Sequence, residues 1–440
     1  LFAATPPLEA LKILLSLAMT EGMGWNKTKG YVKKVDFIDI RRAYFHAAAI
    51  REIYVDLPPE DHEDGKCGRL LQSMYGTRDA AQNWEIEYAE FMQSIGFKRG
   101  LAVPCLFNHD HFNLRVAVHG DDFTVLGDVQ ALDWFRIQMA KKFEVKFRGR
   151  IGPEEGDEKA IRLLNRVFQW TPEGIIAEAD QRHAELIVKD MSLKSDSKGL
   201  STPGVKLKEA QEYLLPKEQA TLYRANVARG NYLCQDRSDI QYAVKELCRG
   251  MSAPKVEDWE KLKRLARYLV DKTRSRTMFN YQKMHQDIVV YTDTDYAGCA
   301  KTRKSTSGGV ILLGSHCIKT WSSTQAVIAL SSGEAEYYGL VRGAAQGIGV
   351  RSMLKEVGVD LKIRVKTDAA AAKGIATRRG MGKVRHIEVN QLWVQEKVAN
   401  GELKIEKCSG LENAADHLTK YLSKEGIEQH LNMTNQWLEA

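Results

Sequence analysis

The 440-residue sequence predicts a multidomain protein of mixed α+β and α/β class. Three observations carry this expectation. Between Tyr31 and Phe143, short β-type runs alternate with runs of helical periodicity. Between Pro216 and Thr273 the pattern is helical, with Trp259, Leu262, Leu265 and Leu269 recurring at helix spacing. From Ile288 onward a β-rich opening gives way to alternating helix and strand over about 150 residues, a usual domain size.

Taken in order, Leu8 to Met19 reads as an amphipathic helix. It contains Glu9 and Lys12 and is too short to span a bilayer. No signal peptide is visible. Val32 to Ile38 reads as a strand with Asp39 at its end, and Asp79 to Ile95 as an amphipathic helix. Leu114 to Leu126 reads as two strands around a Gly-Asp-Asp turn, followed by a helix from Val129 to Phe143. Glu154 to Lys159 reads as an acidic surface insertion. Ser192 to Lys206, rich in Ser, Lys and Gly, has linker chemistry. Farther on come strands at Ile288–Thr292, Gly309–Leu313 and into Trp321, a helix at Gly333–Ala345, a strand at Ile363–Thr367 and a final helical region. The expected domains are 1–205, 206–284 and 285–440.

Composition is that of an ordinary globular protein, 44% hydrophobic and 28% charged. The seven cysteines stand singly, without zinc-site spacing, and imply reduced thiols in an intracellular protein rather than a disulfide framework. The net charge of +7 is modest, but cations cluster at Lys141, Lys142, Lys146, Arg148 and Arg150, and again at Arg378, Arg379, Lys383 and Arg385. Such clusters either neutralise phosphates or form solvated loops, and charge alone leaves both open.

Acidic residues carry the chemistry. Two carboxylates about 4 Å apart repel by about 4 kcal/mol at an effective dielectric near 20. Asp121 and Asp122 side by side at a hairpin turn, with Asp39 on a nearby strand, suit a divalent cation that cancels this repulsion. Alone, Gly-Asp-Asp is also a common turn. The context narrows the choice. Asp39-Ile-Arg-Arg-Ala-Tyr44-Phe, Arg51 to Glu60, Ser73-Met-Tyr-Gly-Thr-Arg-Asp-Ala-Ala-Gln-Asn-Trp84, Phe91 to Cys105 and the hairpin follow one another. In that order they resemble the reverse transcriptase of copia-type retrotransposon Pol polyproteins. Tyr291 to Gly298, Arg303 to Gly309, Ala329 to Tyr337, Lys366-Thr-Asp368 and Asn413 to Lys420 resemble the family's ribonuclease H.

The resemblance implies a polymerase palm with incomplete fingers, a helical thumb or connection region, and a ribonuclease H-like α/β domain. It implies an RNA-directed DNA polymerase that also cleaves RNA/DNA hybrids, with two-metal phosphoryl transfer in both sites. Asp39, Asp121 and Asp122 would hold the polymerase ions; Asp293, Glu336, Asp368 and Asp416 would hold those of the ribonuclease. Glu334 and Glu336 lie on different helix faces, and the match favours Glu336. Tyr44 would act as a steric gate against the ribose 2′-hydroxyl. Tyr75, Gly76 and Arg78 would contact template or incoming nucleotide, and Arg303, Lys304, Arg378 and Arg379 would contact phosphates. His417 is expected to be a solvated helix residue, and His386 resembles a recurrent family histidine without an assigned role.

The implied cofactor is Mg2+, or Mn2+, two ions per site. The implied partners are an RNA template, a DNA primer, RNA/DNA hybrid and dNTPs, with no membrane and no oligomeric state specified. Family resemblance places the protein in a cytoplasmic particle or the nucleus. His119-Gly120 stands where the family usually has Tyr-Val, and Arg78 to Ala81 where it has Lys-Gln-Ala-Pro. The family's fingers lie upstream of Leu1, so polymerase activity is expected to be impaired.

Overall fold

The computed structural model describes residues 5–194, 196–206, 213–380, 382, 384, 386–387 and 391–440. Lys383 and Arg385 of the second basic cluster lie outside the described residues. The chain divides into two compact units. One comprises Leu1–Ile161 with Ser352–Asp360, the other Arg162–Arg351 with Leu361–Ala440.

In the first unit, helix α1 (Leu8–Ala18) is buried from Ala10 to Ala18 except for Lys12. The expected amphipathic pattern is therefore corrected: the helix is sunk in the unit and not laid on its surface. Two small ribbons stand apart from the main sheet: β1 (Trp25–Asn26) with β2 (Tyr31–Val32) before its first strand in sequence, and β4 (Tyr54–Val55) with β5 (Gly68–Arg69) between its first and second. That sheet has six strands. They are β3 (Lys34–Ile40), β6 (Lys98–Arg99), β7 (Leu106–His109), β8 (Leu114–His119), β9 (Asp122–Gly127) and β10 (Val145–Ile151), in the order β10-β3-β9-β8-β7-β6. Helices α2 (Ala80–Ser94) and α3 (Val129–Lys142) cover it. Trp84, Tyr88 and Met92 from α2 and Leu132, Phe135 and Met139 from α3 share one core with Ile38, Val116, Phe123 and Val125.

Two local features matter for the site. Strand β10 pairs with β3 in a register that jumps from Phe147↔Ile38 to Gly149↔Phe37, so Arg148 is an extra residue in a β-bulge. The turn after β10 holds the acidic stretch expected as a surface insertion. The stretch is largely exposed, and its Glu154 and Asp157 accept hydrogen bonds from the buried Lys34 ammonium at 2.7 and 2.8 Å. A lysine in the sheet interior needs those counter-charges.

The second unit contains two five-stranded sheets and most of the helices. Strands β11 (Ala160–Leu163), β12 (Arg166–Thr171), β13 (Gly174–Glu178) and β14 (Arg274–Asn280) end on β20 (Gln436–Glu439). Helices α4 (Gln181–Asp190), α5 (Lys217–Leu233), α6 (Ser238–Cys248) and α7 (Val256–Leu269) bury a core around Tyr223, Val227, Leu262 and Leu265. The other sheet is built from β15 (Asp287–Asp295), β16 (Thr306–Leu313), β17 (His316–Thr324), β18 (Lys362–Thr367) and β19 (Leu403–Lys407). Its order is β17-β16-β15-β18-β19, with β15–β18 and β18–β19 parallel. Helices α8 (Ser332–Glu356), α9 (Ala370–Thr377), α10 (Trp393–Ala399) and α11 (Lys424–Met433) complete the set.

The structural division at 161/162 differs from the expected boundary at 205. Strand β13 pairs along its length with β14, 100 residues later in sequence, and this draws 162–191 into the second unit. The Ser192–Lys206 stretch is not a free linker either. The Leu200 amide donates to the Arg267 carbonyl (3.1 Å), and Arg264 donates to the Thr202 hydroxyl (2.7 Å), so the stretch lies along α7. The region expected to be helical at the end of the chain also contains β19 and β20.

Candidate active sites

In the first unit, antiparallel pairing of β3 with β9 sets Asp39 opposite Asp122. Asp121 precedes Asp122 at the β8–β9 hairpin. Gly120 takes a φ of +66° there, a conformation that glycine adopts without steric cost. The hairpin is pinned from two sides. The Trp84 indole donates to the Gly120 carbonyl (2.9 Å), and the Ile40 amide donates to the Asp121 carbonyl (3.0 Å). Asp122 is buried, and its Oδ1 accepts no hydrogen bond among the described residues, although the Arg148 guanidinium lies 3.3 Å from it as an ion pair. Burial pushes the Asp122 carboxyl up to about 6; Arg148 opposes the shift, and Asp121 and Asp39 add to it. A buried, unsatisfied carboxylate oxygen beside two more acids fits a divalent cation.

Arg148 reaches this group. One guanidinium nitrogen lies 2.8 Å from Asp39 Oδ1 and 3.3 Å from Asp122 Oδ1. Other members of the first basic cluster are also engaged internally. Arg150 pairs with Asp36 (2.6 Å) and Asp133 (2.8 Å), and Lys142 pairs with Glu87 (2.6 Å). Three of the five cations thus face the protein's own carboxylates, which leaves fewer for phosphates than the sequence suggested.

The Tyr44 ring stacks on Tyr75 with centroids 4.4 Å apart, and Phe45 meets Tyr75 edge-on at 5.6 Å. Burial raises the Tyr75 hydroxyl above its ordinary value, and the Asp121 charge adds to this. Gly76, at φ +93°, has open space beside its Cα, and Arg78 is exposed. The segment carrying them is anchored by Arg51, which donates twice to Asp79 at 3.0 and 2.9 Å.

In the second unit, parallel pairing of β15 and β18 brings Asp293 and Asp368 to the same end of the sheet. Helix α8 supplies Glu336. Carboxylate oxygens of Asp293, Glu336 and Asp368 all lie within 4.8 Å of one another, the one such trio of potential metal ligands among the described residues. The helix comes this close because glycines face the strand. A Cβ on Gly339, Gly343 or Gly347 would lie 2.4 Å from Thr294 Oγ1, 2.3 Å from Thr292 Cγ2 and 3.0 Å from Val290 Cγ2 respectively. Burial pushes the Glu336 carboxyl up to about 9, reinforced by Asp293 and Asp368, and its Oε2 has no partner among the described residues. Burial likewise pushes Asp293 up to about 6. This donor set also fits divalent cations.

Asp293 is held from behind: the Thr419 hydroxyl donates to its Oδ2, and Asn413 donates to the Thr292 carbonyl at 3.1 Å. The sequence reading missed Thr419 and Asn413 as site residues, although both lie inside the quoted Asn413-to-Lys420 block. Asp416 stands outside the trio and pairs with Lys420 at 2.5 Å. Glu334 turns the other way and accepts from His386 at 2.6 Å. Burial would raise the Glu334 carboxyl, but bonds from His386, the Leu330 amide and Tyr338 outweigh it and hold it low. His417 is corrected from a solvated residue to a buried one. It stacks face to face with His430, and burial drives both imidazoles down, His430 to about 3. Arg303, at φ +58°, and Lys304 lie on the loop before β16; Arg378 and Arg379 follow α9, the former half-buried and the latter exposed.

No helix among the described residues is long and apolar enough to cross a membrane. Residues 2–156 match the family described as reverse transcriptase (RNA-dependent DNA polymerase). A retrovirus-related Pol polyprotein from a Nicotiana tabacum transposon is 26% identical, covering 97% of this chain and 32% of the relative. A second such polyprotein, from Arabidopsis thaliana, is 26% identical over 88% of this chain and 26% of its own length. The chain thus spans about a third or less of these relatives. An uncharacterised mitochondrial protein of Arabidopsis thaliana is 32% identical over 53% of this chain and 92% of the relative. Among solved structures, a foamy viral protease-reverse transcriptase in complex with RNA/DNA hybrid covers 92% of this chain and 46% of its own. Its TM-score is 0.51 at 9% identity, a likeness of fold. A palm-type sheet with a Gly-Asp-Asp hairpin, the match over residues 2–156 and these relatives agree: the chain belongs to the reverse transcriptase family of copia-type retrotransposon Pol polyproteins.

Proposed function

We propose that this chain carries two phosphoryl-transfer sites, an RNA-directed DNA polymerase palm and a ribonuclease H site that cleaves the RNA of an RNA/DNA hybrid. The convergence of Asp293, Glu336 and Asp368 within 4.8 Å carries the reading. Three acids from a strand, a helix and a strand end are forced together in a partly buried place, and Glu336 pays for this with a carboxyl pushed up to about 9. Divalent cations, Mg2+ or Mn2+, would supply at each carboxylate set a clamp on the attacking and leaving oxygens.

The chain's own residues do the rest. Thr419 and Asn413 fix the orientation of Asp293, and Glu336 gives up its proton as cation binds, so cation affinity rises with pH toward about 9. Asp416 supports the trio from the adjoining turn once Lys420 releases it. In the palm, Asp39, Asp121 and Asp122 form the cation set. Tyr44, braced by Tyr75, screens the sugar of an incoming dNTP, while Gly76 and Arg78 face template or nucleotide. Arg303, Lys304, Arg378 and Arg379 offer phosphate contacts that position a hybrid without reading its sequence. The partners on this reading are an RNA template, a DNA primer, dNTPs and the hybrid product.

The test is cleavage of a labelled RNA/DNA hybrid with Mg2+, comparing the chain with its Asp293→Asn variant. Cleavage by the parent and a loss of about a hundred- to a thousand-fold in the variant, in the range of lost electrostatic catalysis, are expected. Equal cleavage by both, or none by a folded parent, overturns the ribonuclease assignment.

A further inference from the structure

Arg148 occupies the one position of β10 that has no Cα partner on β3 across the register jump. A bulge re-aims the side chain it carries, and here the guanidinium is turned onto the palm carboxylates. One nitrogen touches Asp39 at 2.8 Å and Asp122 at 3.3 Å, two acids on adjacent strands that nothing else bridges among the described contacts. The next residue, Gly149, has φ +153°, and a Cβ there would lie 3.1 Å from Glu158 Cγ. The bulge is therefore a fixed part of the strand and not a loose end. The three side chains are only 33%, 17% and 11% exposed, so water screens their attraction less than at an open surface.

A divalent cation takes carboxylate oxygens as ligands at about 2.0–2.6 Å. The guanidinium already uses those oxygens, and its charge repels an entering cation. We infer that Arg148 is a positioning residue that serves as the palm's resident counter-cation, bridging Asp39 and Asp122 and leaving them when a divalent cation binds. The inference rests on the cation role proposed above for Asp39, Asp121 and Asp122. Its consequence is a threshold. The acids stay together without a cation, and each cation that binds must first break the bridge.

Binding of Mn2+ to the full chain, followed by electron paramagnetic resonance, tests this without any activity. Every sample carries Glu336→Gln, which removes a ligand from the other site. Loss of the charge-assisted hydrogen bond to Asp39 and of the ion pair with Asp122, both of which compete with the ion, gives Arg148→Gln an Mn2+ affinity higher by about ten-fold or more. Arg148→Lys, which keeps the charge and loses the planar fork, falls between parent and Arg148→Gln, and it carries the test if Arg148→Gln does not fold. Asp121→Asn should abolish the palm ion. Unchanged or weaker binding in the Arg148 variants, with the ion still lost in Asp121→Asn, overturns the inference and leaves the cation site standing. Full Mn2+ binding in Asp121→Asn removes the cation site, and the inference goes with it.

Discussion

At the scale of single residues, the molecule tolerates buried ionisable groups by keeping each in one protonation state. His316 is fully buried, with Nε2 2.8 Å from the Asn280 carbonyl and Nδ1 3.0 Å from Gln282 Nε2. That pairing makes Nε2 the donor and Nδ1 the acceptor, so the ring is neutral. Burial lowers its pKa from 6.5 to about 4, with the Asn280 bond acting against the shift. The unfolded chain binds the proton first, so this contribution is whole above pH 6.5 and is lost as pH falls toward 4. The expected result is a fall of up to about 3 kcal/mol in stability between those values that His316→Gln largely removes, seen in urea melts at each pH. An identical acid slope in the variant contradicts it. The acidic residues themselves were readable in the sequence because they stand in ordered motifs. Their supports were not. Nothing in a linear pattern tells that Thr419 bonds to Asp293, 126 residues away, or that Arg148 turns onto Asp39.

At the scale of elements, the contents of α8 decide whether the trio can form. Gly339, Gly343 and Gly347 recur every four residues and put one bare stripe of helix against β15. Gly343→Val would drive a side chain into Thr292, whose Cγ2 lies 2.3 Å from the first atom added. The helix must move away, taking Glu336 from Asp293 and Asp368. We expect a stability loss of about 1–3 kcal/mol, as for overpacking generally, and weaker Mn2+ binding at that site. Calorimetry and ion titration check both, and an unaltered ion affinity would count against the close-packing argument. The glycine spacing is visible in the sequence, although which strand it meets is not. The palm hairpin, α2 and α3 were legible for a simpler reason: alternation and 3.6-residue periodicity are local. Helix α1 misled because its mixed Glu9 and Lys12 suggested an exposed face that the fold covers.

At the scale of the whole molecule, each unit is built from separated stretches of chain. The first unit takes in Ser352–Asp360, where the Val357 carbonyl accepts from the buried Arg115 Nε at 2.8 Å and Glu356 accepts from the Val103 amide at 3.1 Å. Residues 1–161 made alone lack these partners. A buried guanidinium left short of an acceptor costs about 1–3 kcal/mol, so the fragment should unfold at lower urea than the same unit within the full chain, as read by hydrogen exchange. Matching protection in both would show that the segment contributes nothing. The compact units part at 161/162 and not at 205 on the same ground, since composition marks a polar stretch but not the strand pairing that binds 162–191 to residues beyond 270.

Strand β20 carries this non-locality furthest. Gln436 bonds to Thr277 across 159 residues, and Gln436–Glu439 pairs with Arg274–Thr277. Translation delivers β14 long before its neighbour. At roughly 5–20 residues per second, its edge amides wait about 8–30 seconds with no strand to meet them. During that interval a ribosome-bound chain displays a free sheet edge, the surface on which nascent proteins pair with one another. A stop codon ahead of 436 would make the interval permanent, so the last strand is as much a guard against aggregation as a part of the fold.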